Sequence, residues 1–294
     1  MIRRRTLLRL PAVAGLLQAG ASGLRLSVRV EPLFPGIPLP RQMEKVAEAG
    51  YSGFEFGDWR AQDAAAISKL AKQLHLECVC IVGNRGVNPA GMGLCDPAER
   101  DGFLAEIRAS AEAARRFETT RMVVLTGNRI RGVPRERQHA SVVEGLKRAH
   151  EVVAPHGITM ILEVINTLAA VEPLNLKTNH RDYYLDRTPE AFAMVREAGS
   201  PFLKILFDLY HVQIMEGNLI ETLRANIGAI GHFHVGDVPG RHEPGTGEIN
   251  YRNVFKAIRE SGYREFVGVE YVPSKDALAT LAEVRALAAS SETR

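Results

Sequence analysis

A (β/α)8 TIM barrel is the fold class this sequence predicts, and three observations lead to it. From residue 24 onward, short β-rich runs alternate with amphipathic helical stretches about eight times. The 294 residues are 46% hydrophobic and 24% charged, ordinary globular composition that suits one barrel of roughly 250 residues. Neither a Gly-x-Gly-x-x-Gly after the first strand nor a Gly-Lys-Ser/Thr phosphate loop is present, which weighs against an open dinucleotide-binding sheet.

The elements follow in order. A first strand is expected over 24–30, then a helix over 40–49 that stops at Gly50. Strand two spans 53–56 and is followed by helical spacing over 61–74; strand three spans 77–82 and precedes a long helix over 97–117. Strand four covers 121–125, with a helix over 136–153 after a loop containing Pro134. Strand five covers 157–163, with its helix over 188–198; strand six covers 203–209, with its helix over 219–227. Strand seven covers 231–235 before a helix over 251–261, and strand eight covers 266–271 before a closing helix over 274–289. Such alternation pairs strands in parallel through right-handed crossovers. No linker or shift in composition divides residues 22–294, so one domain is expected there.

The first 21 residues read differently. Arg3-Arg4-Arg5-Thr6-Leu7-Leu8-Arg9 precedes a short apolar run, Leu10 to Leu17, and then Ala19-Gly20-Ala21. A basic segment, an apolar core and a small-x-small site are the order of an export signal. Arg4-Arg5-x-Leu7-Leu8-Arg9 resembles the twin-arginine type, so residues 1–21 are expected to direct the chain to the periplasm, unless they stay attached as a basic tail in the cytoplasm. Without the four arginines among the first nine residues, 37 basic residues fall to 33 against 34 acidic ones. A balance of −1 lacks the footprint of a nucleic-acid binder. No run approaches the roughly 18 apolar residues that cross a bilayer, so no membrane partner is expected after export. Three scattered cysteines, Cys78, Cys80 and Cys95, exclude a disulfide framework.

In a barrel of this kind the chemistry sits where the strands end. Strand five ends on Glu163, strand six on Asp208 with His211 three residues on, and strand eight on Glu270. Strand seven places His232 and His234 on one face by its period of two. Four consecutive strands therefore deliver Glu163, Asp208, His234 and Glu270 to one rim. Carboxylates at the ends of apolar strands are costly to bury without positive charge beside them. Arginines of the rim are one answer; a shared divalent cation is the economical one for four groups in a row. Three carboxylates and one imidazole suit Mg2+ or Mn2+, with Zn2+ and Co2+ also compatible. His232 is read as packed core or as support for the ligands. Phe56 and Trp59, at the end of strand two, are candidate pocket walls or plain packing. The glycine- and proline-rich stretch 236–247 is expected to fold over the rim.

Two segments carry a resemblance. Phe207-Asp208-Leu209-Tyr210-His211-Val212-Gln213-Ile214-Met215-Glu216-Gly217 and the stretch from His232-Phe233-His234 to Gly245-Thr246-Gly247-Glu248-Ile249-Asn250-Tyr251 closely resemble hydroxypyruvate isomerase, of the xylose isomerase-like superfamily of sugar isomerases and epimerases. The resemblance implies Glu163, Asp208, His234 and Glu270 as metal ligands, and Glu163 and Glu270 also as the acid/base pair. It implies His211 and Arg241 as contacts to substrate oxygens, and His180 is taken with them. An ion pair from Arg241 to Glu243 or Glu248 is the alternative for that residue. Two departures matter. Close relatives of hydroxypyruvate isomerase often carry Gln at the position of His234, whereas ketose 3-epimerases carry His. The family's Glu-x-x-Asn also occurs twice, at Glu163–Asn166 and at Glu172–Asn175. The second copy matches better downstream, at Lys177 and His180. Glu163 is preferred because it ends an apolar run, leaving the nine extra residues in a loop, where insertions are tolerated.

The reaction that these residues imply is proton transfer through an enediolate in an α-hydroxycarbonyl compound. Isomerisation of a keto acid such as hydroxypyruvate comes first, and epimerisation of a ketose or keto-glycoside second. An endonuclease IV-like repair enzyme would need more histidines and a basic groove; a non-catalytic sugar-binding barrel would not need the intact rim. A homo-oligomer is compatible with the sequence.

Overall fold

The computed structural model describes residues 23–86, 93–168 and 180–291. Residues 1–21, with the expected export signal, and the alternative ligand Glu172 lie outside the described residues. Eight parallel strands close into a barrel: β1 (Arg25–Arg29), β2 (Gly53–Phe56), β3 (Glu77–Val82), β4 (Arg121–Val124), β5 (Thr159–Glu163), β6 (Leu203–Asp208), β7 (Ile230–Val235) and β8 (Phe266–Val269). Each pairs with its neighbour in sequence, and β8 returns to β1 with Ser27 opposite Gly268.

The helices are α1 (Val30–Leu33), α2 (Leu39–Glu48), α3 (Ala64–Leu74), α4 (Arg100–Arg116), α5 (Arg135–Val153), α6 (Thr188–Ala198), α7 (Leu209–Met215), α8 (Leu219–Asn226), α9 (Tyr251–Glu260) and α10 (Ala277–Ser290). Their ends have local causes. Asp63 accepts hydrogen bonds from the Ala65 and Ala66 N–H groups to start α3, and Asn250 and Asp276 cap α9 and α10 in the same manner. The expected helix over 97–117 is divided: Pro97–Glu99 forms a 3-10 turn capped by Asp96, and α4 begins at Arg100.

Two short helices, α1 and α7, follow β1 and β6 directly and were not foreseen. Four and seven residues are too few to display a helical period. Helix α7 depends on Asp208, whose carboxylate accepts from the Tyr210 and His211 N–H groups.

Side chains of β2 divide by the pleat. Phe54 and Phe56 lie together, their centroids 5.9 Å apart, and Phe56 meets the edge of Phe117 at the end of α4. Phe56 is therefore packing between sheet and helices, not a pocket wall. Glu55, between them, faces the barrel interior. Trp59 covers the end of β3, where its indole N–H donates to the Val82 carbonyl at 3.1 Å. All three cysteines are buried free thiols.

The layer outside the sheet is apolar and continuous. Phe255 on α9 is fully buried, with the Tyr251 ring 5.4 Å away. Truncating it to alanine removes apolar contacts and leaves a cavity, so Phe255→Ala is expected to cost about 3–5 kcal/mol in denaturant unfolding.

Candidate active site

Four neighbouring strands bring their ends to one point. Glu163 and Asp208 are the last residues of β5 and β6, His234 lies one residue before the end of β7, and Glu270 directly follows β8. One ligand atom from each lies within 4.8 Å of all the others. The register makes this possible: Asp208 stands opposite His234, and His234 opposite Gly268.

Each buried charge has a different answer. Asp208 turns Oδ1 to the N-terminus of α7, while Oδ2 accepts from Arg241 Nη2 at 2.6 Å. Arg241 Nη2 also donates to Glu270 Oε2 at 2.5 Å. The other Glu270 oxygen lies 3.7 Å from Arg29 Nε, and Arg29 is shared with Glu31. Burial acts to raise the Glu270 carboxyl, but Arg241, His234 and Arg29 outweigh it and hold it well below the usual carboxylate range. Arg241 therefore pairs with Asp208 and Glu270. Glu243 instead accepts from Ser274, and Glu248 from Gln213.

Glu163 is the exception. Among the described residues its carboxylate has neither a hydrogen bond nor an ion pair. Burial, reinforced by the Glu270 charge and only partly relieved by His234, pushes it up to about 8. Three carboxyl groups thus converge at the rim, and one of them lacks a cation or donor of its own. His234 adds a second sign of the same kind. Its Nδ1 is buried and 3.0 Å from Glu270 Oε2, yet the two are not aligned as a hydrogen bond. An orphaned ring nitrogen and an unpartnered carboxyl group beside two further carboxylates, all within one small sphere, fit a divalent cation. Burial alone would lower His234; Glu270 and Glu55, one at each ring nitrogen, instead raise it well above its ordinary value.

The expected substrate contacts surround this cluster. His211 on α7 is buried, with the Asn166 side-chain amide 2.7 Å from Nδ1 and Arg241 Nη1 3.2 Å from Nε2. A guanidinium only donates, so Nε2 accepts from Arg241, while Nδ1 faces the Asn166 side-chain amide. Burial, with Arg241 and His180 adding to it, lowers His211 well below its ordinary value, so the ring is neutral. The His180 ring centroid lies 6.4 Å from that of His211. Arg241 rises from a tightly built segment after β7. The fully buried Asp237 accepts from the N–H groups of Val238, Gly245, Gly247 and Ile249. Arg241 itself has a left-handed backbone, φ 52°, with its carbonyl bonded to Val272 N–H.

Two participants escaped the sequence reading. Asn166 was visible only as the last letter of Glu-x-x-Asn. Glu55 was passed over inside an unremarkable strand, although it alternates with Phe54 and Phe56 and so had to face inward. It lies between His232 Nε2 at 3.0 Å and His234 Nε2 at 2.9 Å. Burial would raise its carboxyl, but the two imidazoles hold it well below the usual range. His232 is thus support beneath the rim.

Over residues 43–289 the sequence matches the family described as xylose isomerase-like TIM barrel. Hydroxypyruvate isomerase of Escherichia coli (strain K12) is 31% identical over 256 residues, 85% of this chain and 94% of that protein. A 2-oxo-tetronate isomerase of Cupriavidus necator is 33% identical over 177 residues, 60% of this chain and 64% of its own length. A crystal structure described as AP endonuclease, family 2, from Brucella melitensis superposes with a TM-score of 0.79 at 28% identity, covering 88% of this chain and 97% of that one.

Two outcomes follow from these charges. Glu163 keeps its proton at pH 7 in the metal-free protein and must lose it to become a ligand, so Mn2+ binding there releases protons. Apparent affinity rises with pH through about 8, as Glu163 and the raised His234 give up their protons; calorimetry in buffers of different ionisation enthalpy measures both. Asp237→Asn turns an NH2 group toward N–H groups that now meet a carboxylate. It is expected to cost about 1–3 kcal/mol and to speed amide exchange across 237–249.

Proposed function

The chain belongs to the xylose isomerase-like TIM barrel family and is an isomerase; on that premise we propose that it moves a carbon-bound proton within a small α-hydroxycarbonyl compound, with hydroxypyruvate the first candidate. The observation that carries this reading is the convergence of Glu163, Asp208, His234 and Glu270 within 4.8 Å at the ends of β5 to β8. A divalent ion held by these four would supply Lewis acidity toward the carbonyl and adjacent hydroxyl of the substrate. The oxygen-rich donor set favours Mg2+ or Mn2+, with Zn2+ and Co2+ compatible.

The residues divide the remaining work. Glu270, kept ionised by Arg241 and His234, is the base that takes the carbon-bound proton. Glu163, at the end of β5, is placed on a different strand from Glu270, to return a proton to the neighbouring carbon once it has taken one up. Neutral His211, with Arg241 and His180, lines the approach to the pair and orients substrate oxygens.

A second reading, epimerisation of a ketose or keto-glycoside, is favoured by one residue. His234 stands where close relatives of hydroxypyruvate isomerase often have Gln and where ketose 3-epimerases have His. Residues 1–21 belong to the same proposal as a twin-arginine-type export signal, which places the enzyme in the periplasm and makes a free sugar derivative an accessible substrate.

Proton exchange in heavy water distinguishes the two. The Mn2+-loaded enzyme is incubated with hydroxypyruvate, ketoses and oxidised glycosides, and deuterium incorporation is followed by NMR. Incorporation into hydroxypyruvate is expected, with Glu270→Gln slowing it roughly 10²–10⁴-fold. Incorporation into a ketose or keto-glycoside alone selects the epimerase reading; no incorporation into any of them, or normal exchange by Glu270→Gln, overturns the mechanism.

A further inference from the structure

Beneath the rim, a carboxylate sits where a barrel interior is ordinarily apolar. Glu55 on β2 is fully buried, and its contacts account for every lone pair it has. Oε1 accepts from Ser27 Oγ at 2.5 Å and from His232 Nε2 at 3.0 Å. Oε2 accepts from His234 Nε2 at 2.9 Å and from Cys80 Sγ at 3.3 Å. Four donors on three strands, β1, β3 and two positions of β7, reach one residue of β2 and make a saturated carboxylate. Space for it is made opposite: a Cβ at Gly268 would stand 2.5 Å from Glu55 Oε1 and 2.9 Å from His232 Nε2.

We propose that Glu55 is a positioning residue that fixes His234 as the Nε2–H tautomer, so that the Nδ1 lone pair is presented to the cluster of Glu163, Asp208 and Glu270. The inference rests on reading that cluster as a divalent-ion site. An ionised carboxylate has nothing to donate, so each imidazole that meets it does so with N–H at Nε2. For His234 the consequence is that Nε2 keeps its proton when a cation binds, and the nitrogen that gives up a proton to face it is Nδ1, 3.0 Å from Glu270 Oε2. For His232 the same constraint leaves Nδ1 buried with no hydrogen-bond partner among the described residues. That Nδ1 stays orphaned while Nε2 is turned to Glu55 shows which contact dominates the orientation of both rings. Histidines that bind metals commonly donate their second N–H to a carboxylate, which sets both the tautomer and the ring angle.

Glu55→Gln tests this, because an amide offers one oxygen and one NH2. One imidazole must then lose its Nε2–H partner. Ser27→Ala is the comparison: it removes a hydrogen bond from the same carboxylate without touching His234. Mn2+ titration by calorimetry is expected to show affinity falling about 10–100-fold in Glu55→Gln and unchanged in Ser27→Ala. Melting curves of both metal-free variants establish that they are folded. Histidine-selective 15N NMR of the Zn2+-loaded wild type is expected to show His234 protonated at Nε2, and this decides the matter even if Glu55→Gln does not fold. A proton at His234 Nδ1, wild-type Mn2+ affinity in Glu55→Gln, or an equal loss in Ser27→Ala overturns the role of Glu55. A wild type that binds neither Mn2+ nor Zn2+ overturns the metal site beneath it, a separate failure.

Discussion

Buried negative charge is the constraint around which the upper half of this barrel is arranged. A carboxylate taken out of water is stable only where donors or cations replace its hydration. Asp208 is answered by the N-terminus of α7 and by Arg241, and Glu270 by Arg241 and Arg29. Asp237 is answered by four backbone N–H groups, and Glu55 by two imidazoles, a hydroxyl and a thiol. Glu163 alone is left without a partner among the described residues. Lacking such a partner, Glu163 is pushed up to about 8 by its burial and by the Glu270 charge.

The same constraint gives Arg241 work that is independent of any substrate. Its guanidinium touches Asp208, Glu270 and His211 at once and lies 4.9 Å from the centre of the Tyr210 ring. A fork of donors in a fixed plane suits that task, where a lysine would offer a single point of charge. Its position depends on the segment after β7, wound around Asp237, so the loop and the strand ends are mechanically one unit. Glycines and prolines in that stretch signal turns in the sequence; the carboxylate that gathers them does not, because its partners are backbone groups scattered from Val238 to Ile249.

Much of the site was legible because a parallel barrel ends every strand on the same side. An apolar run terminated by a polar residue then names both the strand and the functional position. Glu163, Asp208 and Glu270 are found that way; Glu163 is preferred to Glu172, which lies outside the described residues, because it ends an apolar run. What remained hidden depended on contacts between distant strands. Glu55 and His234 are 179 residues apart and meet only across the barrel interior. Asn166 is known as a partner of His211 only once α7 exists, and α7 is too short to advertise itself. Of the two readings open for Phe56, pocket wall or plain packing, the pleat selects packing and turns its neighbour Glu55 to the barrel interior.

Closure of the barrel supplies the link between these two classes of residue. The candidate ligands all come from β5 to β8, whereas Ser27, Glu55 and Cys80 come from β1 to β3. In an open sheet β1 to β3 would lie at one edge and β7 and β8 at the other, and no side chain of β2 would reach a histidine of β7. Pairing of β1 with β8 brings them face to face, with Gly268 cleared of a side chain between them. The first half of the chain therefore does more than complete the wall. It places a fixed negative charge under His234, and the direction in which that ring faces the rim is a property of the whole closed sheet.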